Sequence, residues 1–197
     1  FIAEHGEFTN FLQEDFEDDY PAMLKREYRF QQIKYGLEPM PMAAWKTSRM
    51  RPNNFPVLRV AQLTSLLATH QHLFRSALEC QTPEGFRRLI GEVEPHPYWQ
   101  NHCAFDKPIQ SRSAQLGRAA IEGILINTVC PFLMAHARFK NKPEWERTAI
   151  TILSDLQPEK NGVVRKWKAL GVEARSAADT QALLCLLYTS PSPRDPL

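Results

Sequence analysis

Two stretches concentrate the side chains that do chemistry. Arg49, Arg51, Asn54 and Arg59 lie in and just after a proline-bracketed loop, Arg49-Met50-Arg51-Pro52-Asn53-Asn54-Phe55-Pro56. Three guanidiniums and an amide beside a helix start outline an anion or phosphate site. Arginine is always charged, pairs with two oxygens at once, and here stands near the positive end of a helix dipole. A cation at that end is unfavourable by about 0.3–1 kcal/mol, so something negative should face Arg51 and Arg59. That partner is either an external anion or a carboxylate of the chain, Asp106, Glu38 or Glu94; the internal pair is the plainer reading.

The second stretch runs from Glu94 to Pro108 and places His96, Trp99, His102, Asp106 and Lys107 between prolines, with Tyr98 beside them. It either lines a small-ligand site or tucks its rings onto the core, with backbone groups satisfying the polar tips. A third candidate is Asn127, expected to be buried, because it interrupts an apolar helix just ahead of Pro131. There Asn127 or Thr128 would satisfy the backbone group freed by the proline, or a neighbouring loop. Cys80, Cys103 and Cys130 are far apart and form no Cys-x-x-Cys pair; they read as reduced thiols of a cytoplasmic protein, with no metal framework. His70 and His72, two residues apart, cannot share a helix face. No nucleophile motif or phosphate-cradling glycine loop is present, so this stretch offers no cofactor and little support for catalysis of its own.

These residues need elements to hold them. Val60, Leu63, Leu67, His70, Phe74 and Ala77 recur at helical spacing, with Pro56 in the first turn and a break near His70-Gln71-His72. Ser113 reads as the cap of a second core helix through Leu116, Ala120, Ile124 and Leu133, kinked at Pro131. An earlier helix from Pro21 to Gly36 carries a stripe of Met23, Phe30, Ile33 and Leu37, with Lys25, Arg26, Arg29 and Lys34 outside. Thr82, Lys142-Pro143, Asn161 and Ser176 mark further starts, and Gly171 a stop. The expected fold is all-α: five or six helices and two long ordered loops, 37–55 and 91–112. The helices near 57–69 and 114–130 should be the most buried. The 197 residues fit one domain plus an extension, and the net charge of +2 requires any basic patch to be local. No apolar run reads as long enough to span a membrane, so no membrane partner is expected.

Several blocks together resemble one family: Tyr28 to Tyr35 with Gly36-Leu37 and Pro39-Met40, Trp45-Lys46, Arg49 to Gln62, Tyr98-Trp99 with His102 and Phe105-Asp106-Lys107, Ile126 to Val129 with Pro131, and Ser176 to Leu184. They resemble the C-terminal half of the bacterial, Bacteroidetes-type proteins catalogued as domain of unknown function 2851. The resemblance covers nearly all of 1–184 and implies no established activity. It implies a missing N-terminal half with acidic and histidine residues, and a missing C-terminal cysteine cluster. That combination is reminiscent of nucleases that hold a metal cluster. The leading functional reading is therefore a nucleic-acid-associated helical domain, with Arg49, Arg51 and Arg59 on phosphates and Tyr98 or Trp99 stacking. Its alternatives are a helical scaffold or interaction domain, and a small anionic-ligand binder. The expected partner in every case is the missing N-terminal half.

Residues Cys185 to Asp195 are what the terminal string of a transposon-based sequencing adapter encodes, over eleven successive codons. The tail 185–197 is therefore expected to be foreign to the helix that starts at Ser176, and to pack poorly. Resequencing the source DNA across Leu184–Cys185 checks this: the adapter origin predicts a different continuation, and genuine coding through Pro196-Leu197 would refute it.

Overall fold

The computed structural model describes residues 16–39 and 54–189. Arg49 and Arg51, and most of the first long loop, lie outside the described residues. The fold is all-α, and its described part divides into two compact units. One holds residues up to Leu73 together with Ile90–Leu116; the other holds Phe74–Leu89 and everything from Gly117 onward.

In the first unit, α1 (Asp19–Tyr35) ends at Gly36, whose left-handed φ of 62° lets its N–H reach back to the Gln32 carbonyl. The helix is rolled away from the expected stripe. Pro21, Lys25 and Tyr28 are buried, whereas Met23, Phe30 and Ile33 are exposed. The reason lies in the aromatic contacts of Tyr20, which stacks on His96 at 3.8 Å and meets Trp99 edge-on. Those contacts fix which face turns inward. Helix α2 (Pro56–Thr69) starts on Pro56 as its spacing predicts and stops at His70. It too is rolled: Val57, Leu58, Val60, Ala61, Gln62 and Leu66 are buried, and Leu63 is exposed. After a turn at Gln71-His72, α3 (Leu73–Glu79) resumes, with Phe74 exposed rather than in the stripe.

Helix α4 (Pro83–Gly91) follows and, like α3, belongs almost wholly to the second unit; the Thr82 hydroxyl accepts from the Gly85 N–H at 3.1 Å. The second expected loop is more structured than a loop. It holds a single turn, α5 (Tyr98–Asn101), and a small antiparallel hairpin of β1 (His102–Ala104) and β2 (Lys107–Pro108). Asp106 makes the hairpin turn with a φ of 52°. The core of the first unit gathers Tyr28, Val57, Leu58, Trp99, Phe105 and Ala114.

In the second unit, one continuous helical stretch runs from Arg118 to Lys140. It comprises α6 (Arg118–Ile124), a π-turn (Leu125–Val129) and α7 (Cys130–Lys140). The start is Gly117 rather than Ser113, whose hydroxyl instead accepts from the Gln115 N–H in a local turn. At the π-turn the Cys130 N–H bonds the Leu125 carbonyl, five residues back. Pro131 cannot donate to the Asn127 carbonyl, and the expected disturbance takes the form of this wider turn. By length and mean hydropathy alone, 23 residues and 1.4, the stretch is enough to cross a bilayer, correcting the expectation from sequence. Yet Leu125, Cys130 and Leu133 are wholly buried, and α7 packs along α8 (Pro143–Asp155), as a core helix does.

Helix α9 (Gly162–Ala169) is capped by the Asn161 side chain on the Val164 N–H at 3.0 Å, and Gly171 follows at φ 84°. Leu170, just before Gly171, is 75% exposed. The last helix, α10 (Ala177–Thr189), opens with a reciprocal cap: Ser176 accepts from the Asp179 N–H, and Asp179 accepts from the Arg175 and Ser176 N–H groups. Its final residues, Cys185 to Thr189, continue the helix and are all exposed.

Trp99 is fully buried and Ile33 is 86% exposed. Trp99→Ala should destabilise by about 3–5 kcal/mol and Ile33→Ala by no more than about 0.5 kcal/mol. Urea unfolding of both variants checks this, and comparable losses would refute the rolled placement of α1.

Candidate functional site

Arg59 projects from the first turns of α2, half-buried, and is held by neutral groups. Its Nη2 donates to the Asn54 side-chain oxygen at 2.7 Å and its Nη1 to the Gln62 side-chain oxygen at 2.9 Å. Gln62 then donates from its amide nitrogen to the Ala114 carbonyl at 2.8 Å, with the Gln115 carbonyl at 3.4 Å. The chain Asn54–Arg59–Gln62–Ala114 thus ties the start of α2 to the segment after β2. None of Asp106, Glu38 and Glu94 pairs with Arg59 among the described residues; Glu94 instead accepts from the Gln100 amide at 3.1 Å. Burial lowers the pKa of Arg59 from its ordinary value, since no described counter-charge offsets its desolvation. Asn54 therefore acts by positioning the arginine. Gln62 was missed in the sequence reading; its signal was a polar residue inside the apolar run Val57 to Leu66.

The second candidate loop is built as packing. Trp99 has no exposed surface and donates from its indole N–H to the Tyr20 hydroxyl at 3.4 Å. His96 lies flat on Tyr20, and its Nδ1 accepts from the Tyr98 N–H at 3.2 Å. His102 lies flat on Tyr98 at 4.0 Å, its Nδ1 at 3.0 Å from the Tyr98 carbonyl and its Nε2 at 3.8 Å from Asp18. A carbonyl only accepts, so Nδ1 carries the proton. Both nitrogens of His102 are thus directed at chain groups, and neither is presented to a substrate as a general base requires. Tyr98 meets His102 face to face and Trp99 edge-on, so neither ring of the expected stacking pair is set out for a base. Asp106 and Lys107 are exposed at the hairpin turn, and the Asp106 N–H donates to the Tyr98 hydroxyl at 3.2 Å. Cys103 is buried beside them, with Lys107 carbonyl as its thiol's acceptor at 3.7 Å.

In the second unit, Asn127 is exposed, not buried as expected. The π-turn shifts the helical phase and carries it outward. Its amide donates to the Gly123 carbonyl at 3.1 Å, which is not the carbonyl that Pro131 leaves free, and to Glu159 in the loop after α8 at 3.3 Å. Glu159 also accepts from Gln181 at 2.7 Å and from Thr180 at 3.5 Å. It is thus a carboxylate served by neutral donors from the π-turn and from α10, and nothing in its local sequence signals that. An open cleft of about 620 Å³ runs past Glu159 along α9, lined also by Lys160, Arg165 and the paired Lys168 and Glu173. On α6, Glu122 takes both Arg118 and Arg87; burial raises its pKa, but those two bonds outweigh it and hold the group below its ordinary value. Cys130, wholly buried, has its thiol pushed up to about 12 by burial and is not a nucleophile.

Burial also pushes the Tyr98 phenol from 10.0 up to about 12, with the Asp106 N–H opposing and nearby carboxylates adding to the shift. The folded state then holds this proton more tightly than the unfolded chain. Its contribution to stability is complete below pH 10, and is lost as pH rises through about 12. Tyr98→Phe should abolish that alkaline component while lowering neutral-pH stability by about 1 kcal/mol through the lost Asp106 bond. Chemical unfolding at pH 8 and pH 11 checks this, and an unchanged pH dependence in the variant would refute it.

A family profile described as a protein of unknown function, DUF2851, matches residues 7–162. The match takes in both candidate stretches and Glu159, and ends before the block from Ser176 to Leu184. No curated protein and no solved structure matches the chain. With most of its length inside that profile, the chain belongs to the DUF2851 family.

Proposed function

We propose that this chain is an oxyanion-binding helical domain, and that the oxyanions it takes are phosphates of a nucleic-acid backbone. One observation carries the reading: Arg59 is half-buried at the start of α2, positioned by Asn54 and Gln62, with no carboxylate against it among the described residues. A guanidinium held in place by neutral acceptors keeps its charge for an external partner. Arg49 and Arg51, close by in sequence, add to the same loop. Because Tyr98 and Trp99 are used in packing, recognition would rest on phosphates and be indifferent to base sequence.

A second reading, a helical interaction domain without catalysis, is favoured by a different observation: the rings of the 94–108 loop pack on one another and on Tyr20. A salt titration separates the two. Phosphate contacts predict oligonucleotide affinity falling steeply with salt, with a slope of about −0.7 per contact for single strands. Arg59→Gln should lower the slope by about that amount. Fluorescence anisotropy with a labelled single strand measures it, and absent or salt-independent binding would refute the nucleic-acid reading.

A further inference from the structure

The segment between β2 and α6 holds a guanidinium edge without acceptors. The Arg112 backbone N–H donates to the Gln100 carbonyl at 2.9 Å, which fixes the residue beside α5. Its side-chain Nε and Nη2 are both shielded from solvent, and neither has a hydrogen-bond partner. Buried donors are nearly always paired, and a charged one left without an acceptor is strongly unfavourable. Nε and Nη2 are also neighbours on one side of the guanidinium plane. Their parallel N–H bonds are the fork that meets two oxygens of one phosphate or carboxylate. Arg87 makes the contrast: it lacks a partner only at Nε, while both of its terminal nitrogens reach carboxylates.

The surroundings of Arg112 reinforce the point. Two residues along, the Ala114 carbonyl receives Gln62, which in turn holds Arg59. The segment carrying the unpaired fork is thereby tied to the turn carrying the other uncompensated arginine. No carboxylate among the described residues pairs with either one. Sequence gave no hint of this, since Arg112 stands in a polar run, Gln110-Ser111-Arg112-Ser113, with no periodicity.

We propose that the Nε/Nη2 edge of Arg112 receives a phosphate group in bidentate fashion, with Arg59 supplying the second positive charge of the same site. This rests on the oxyanion reading of Arg59 and names the residue that makes the direct contact. The competing occupant is a carboxylate of the chain itself.

The test uses the full chain and its Arg112→Lys, Arg112→Gln and Arg59→Gln variants, each confirmed folded by circular dichroism. Inorganic phosphate and a short single-stranded oligonucleotide are titrated separately while the arginine Nε–H resonances are followed by NMR. The expected result is a saturable shift of the Arg112 Nε–H signal with both probes. Arg112→Lys keeps the charge but loses the fork, and should weaken both probes by roughly tenfold or more. A shift with phosphate but not with the oligonucleotide supports the Arg112 site and refutes the nucleic-acid source. An oligonucleotide bound equally by wild type and both Arg112 variants, yet weakened in Arg59→Gln, overturns the Arg112 proposal and leaves the proposed function standing. No binding of either probe by the wild-type chain overturns both. An Arg112 signal insensitive to both probes, with Arg112→Lys destabilised in their absence, assigns the fork to an internal carboxylate and overturns the proposal.

Discussion

A buried side-chain amide governs the first unit. Gln62 is 5% exposed and donates to the Ala114 carbonyl, an acceptor that the irregular segment after β2 would otherwise leave without a partner. Satisfying that carbonyl requires α2 to turn Gln62 inward, and Leu63 is carried to the surface as a result. The trade is reasonable in magnitude: one partly exposed leucine forgoes about 1.5–3 kcal/mol at most, against an unpaired buried carbonyl and an unpaired amide together. The same rotation presents Arg59 to Asn54 and to the Gln62 oxygen. The arginine's placement is thus a by-product of solving a backbone problem.

The aromatic loop shows the same logic in another material. Tyr20, His96, Tyr98, Trp99, His102 and Phe105 form ring contacts that include two parallel stacks, Tyr20 on His96 and Tyr98 on His102. Imidazole serves here as a flat, half-polar plate whose nitrogens reach the backbone while its faces exclude water. That explains why a segment so rich in reactive side chain types presents so little chemistry. Its polar atoms are spent on holding a short turn and a two-residue strand in register.

Several helix ends were legible in the sequence because they depend on neighbours in the chain; the start of α6 was not, since Ser113 closes a local turn instead. Pro56, Gly36, Thr82, Asn161 and Ser176 act within one turn of themselves, and each acts as its type demands. The rotations of α1 and α2 were not legible. They are set by Tyr20 against Trp99 and by Gln62 against Ala114, partners that no local pattern names. Asn127 was misplaced for a related reason: a five-residue turn breaks the regular angular count on which any face assignment depends. Of the candidate site, Arg59 and Asn54 could be read from residue type and spacing. Gln62, Arg112 and Glu159 could not, because their roles arise only once distant segments meet.

The π-turn at Leu125–Val129 has a consequence for how this helix tolerates change in length. Each residue advances an α-helix by about 100°, so a wide turn holds one residue that the flanking helices do not count. Deleting one position there would restore a regular helix and leave α6 and α7 facing as they do, whereas a deletion within either flanking helix would turn the residues beyond it by about 100°. A residue lost from α6 would therefore swing Leu133 and Ala137 away from α8, although no buried side chain had itself been altered. The chain's reading frame of faces, rather than its composition, is what the turn encodes. Outside the turn, residue count works as a gear's tooth count does, and one unit lost disengages everything downstream; the turn is the single place that carries a tooth to spare.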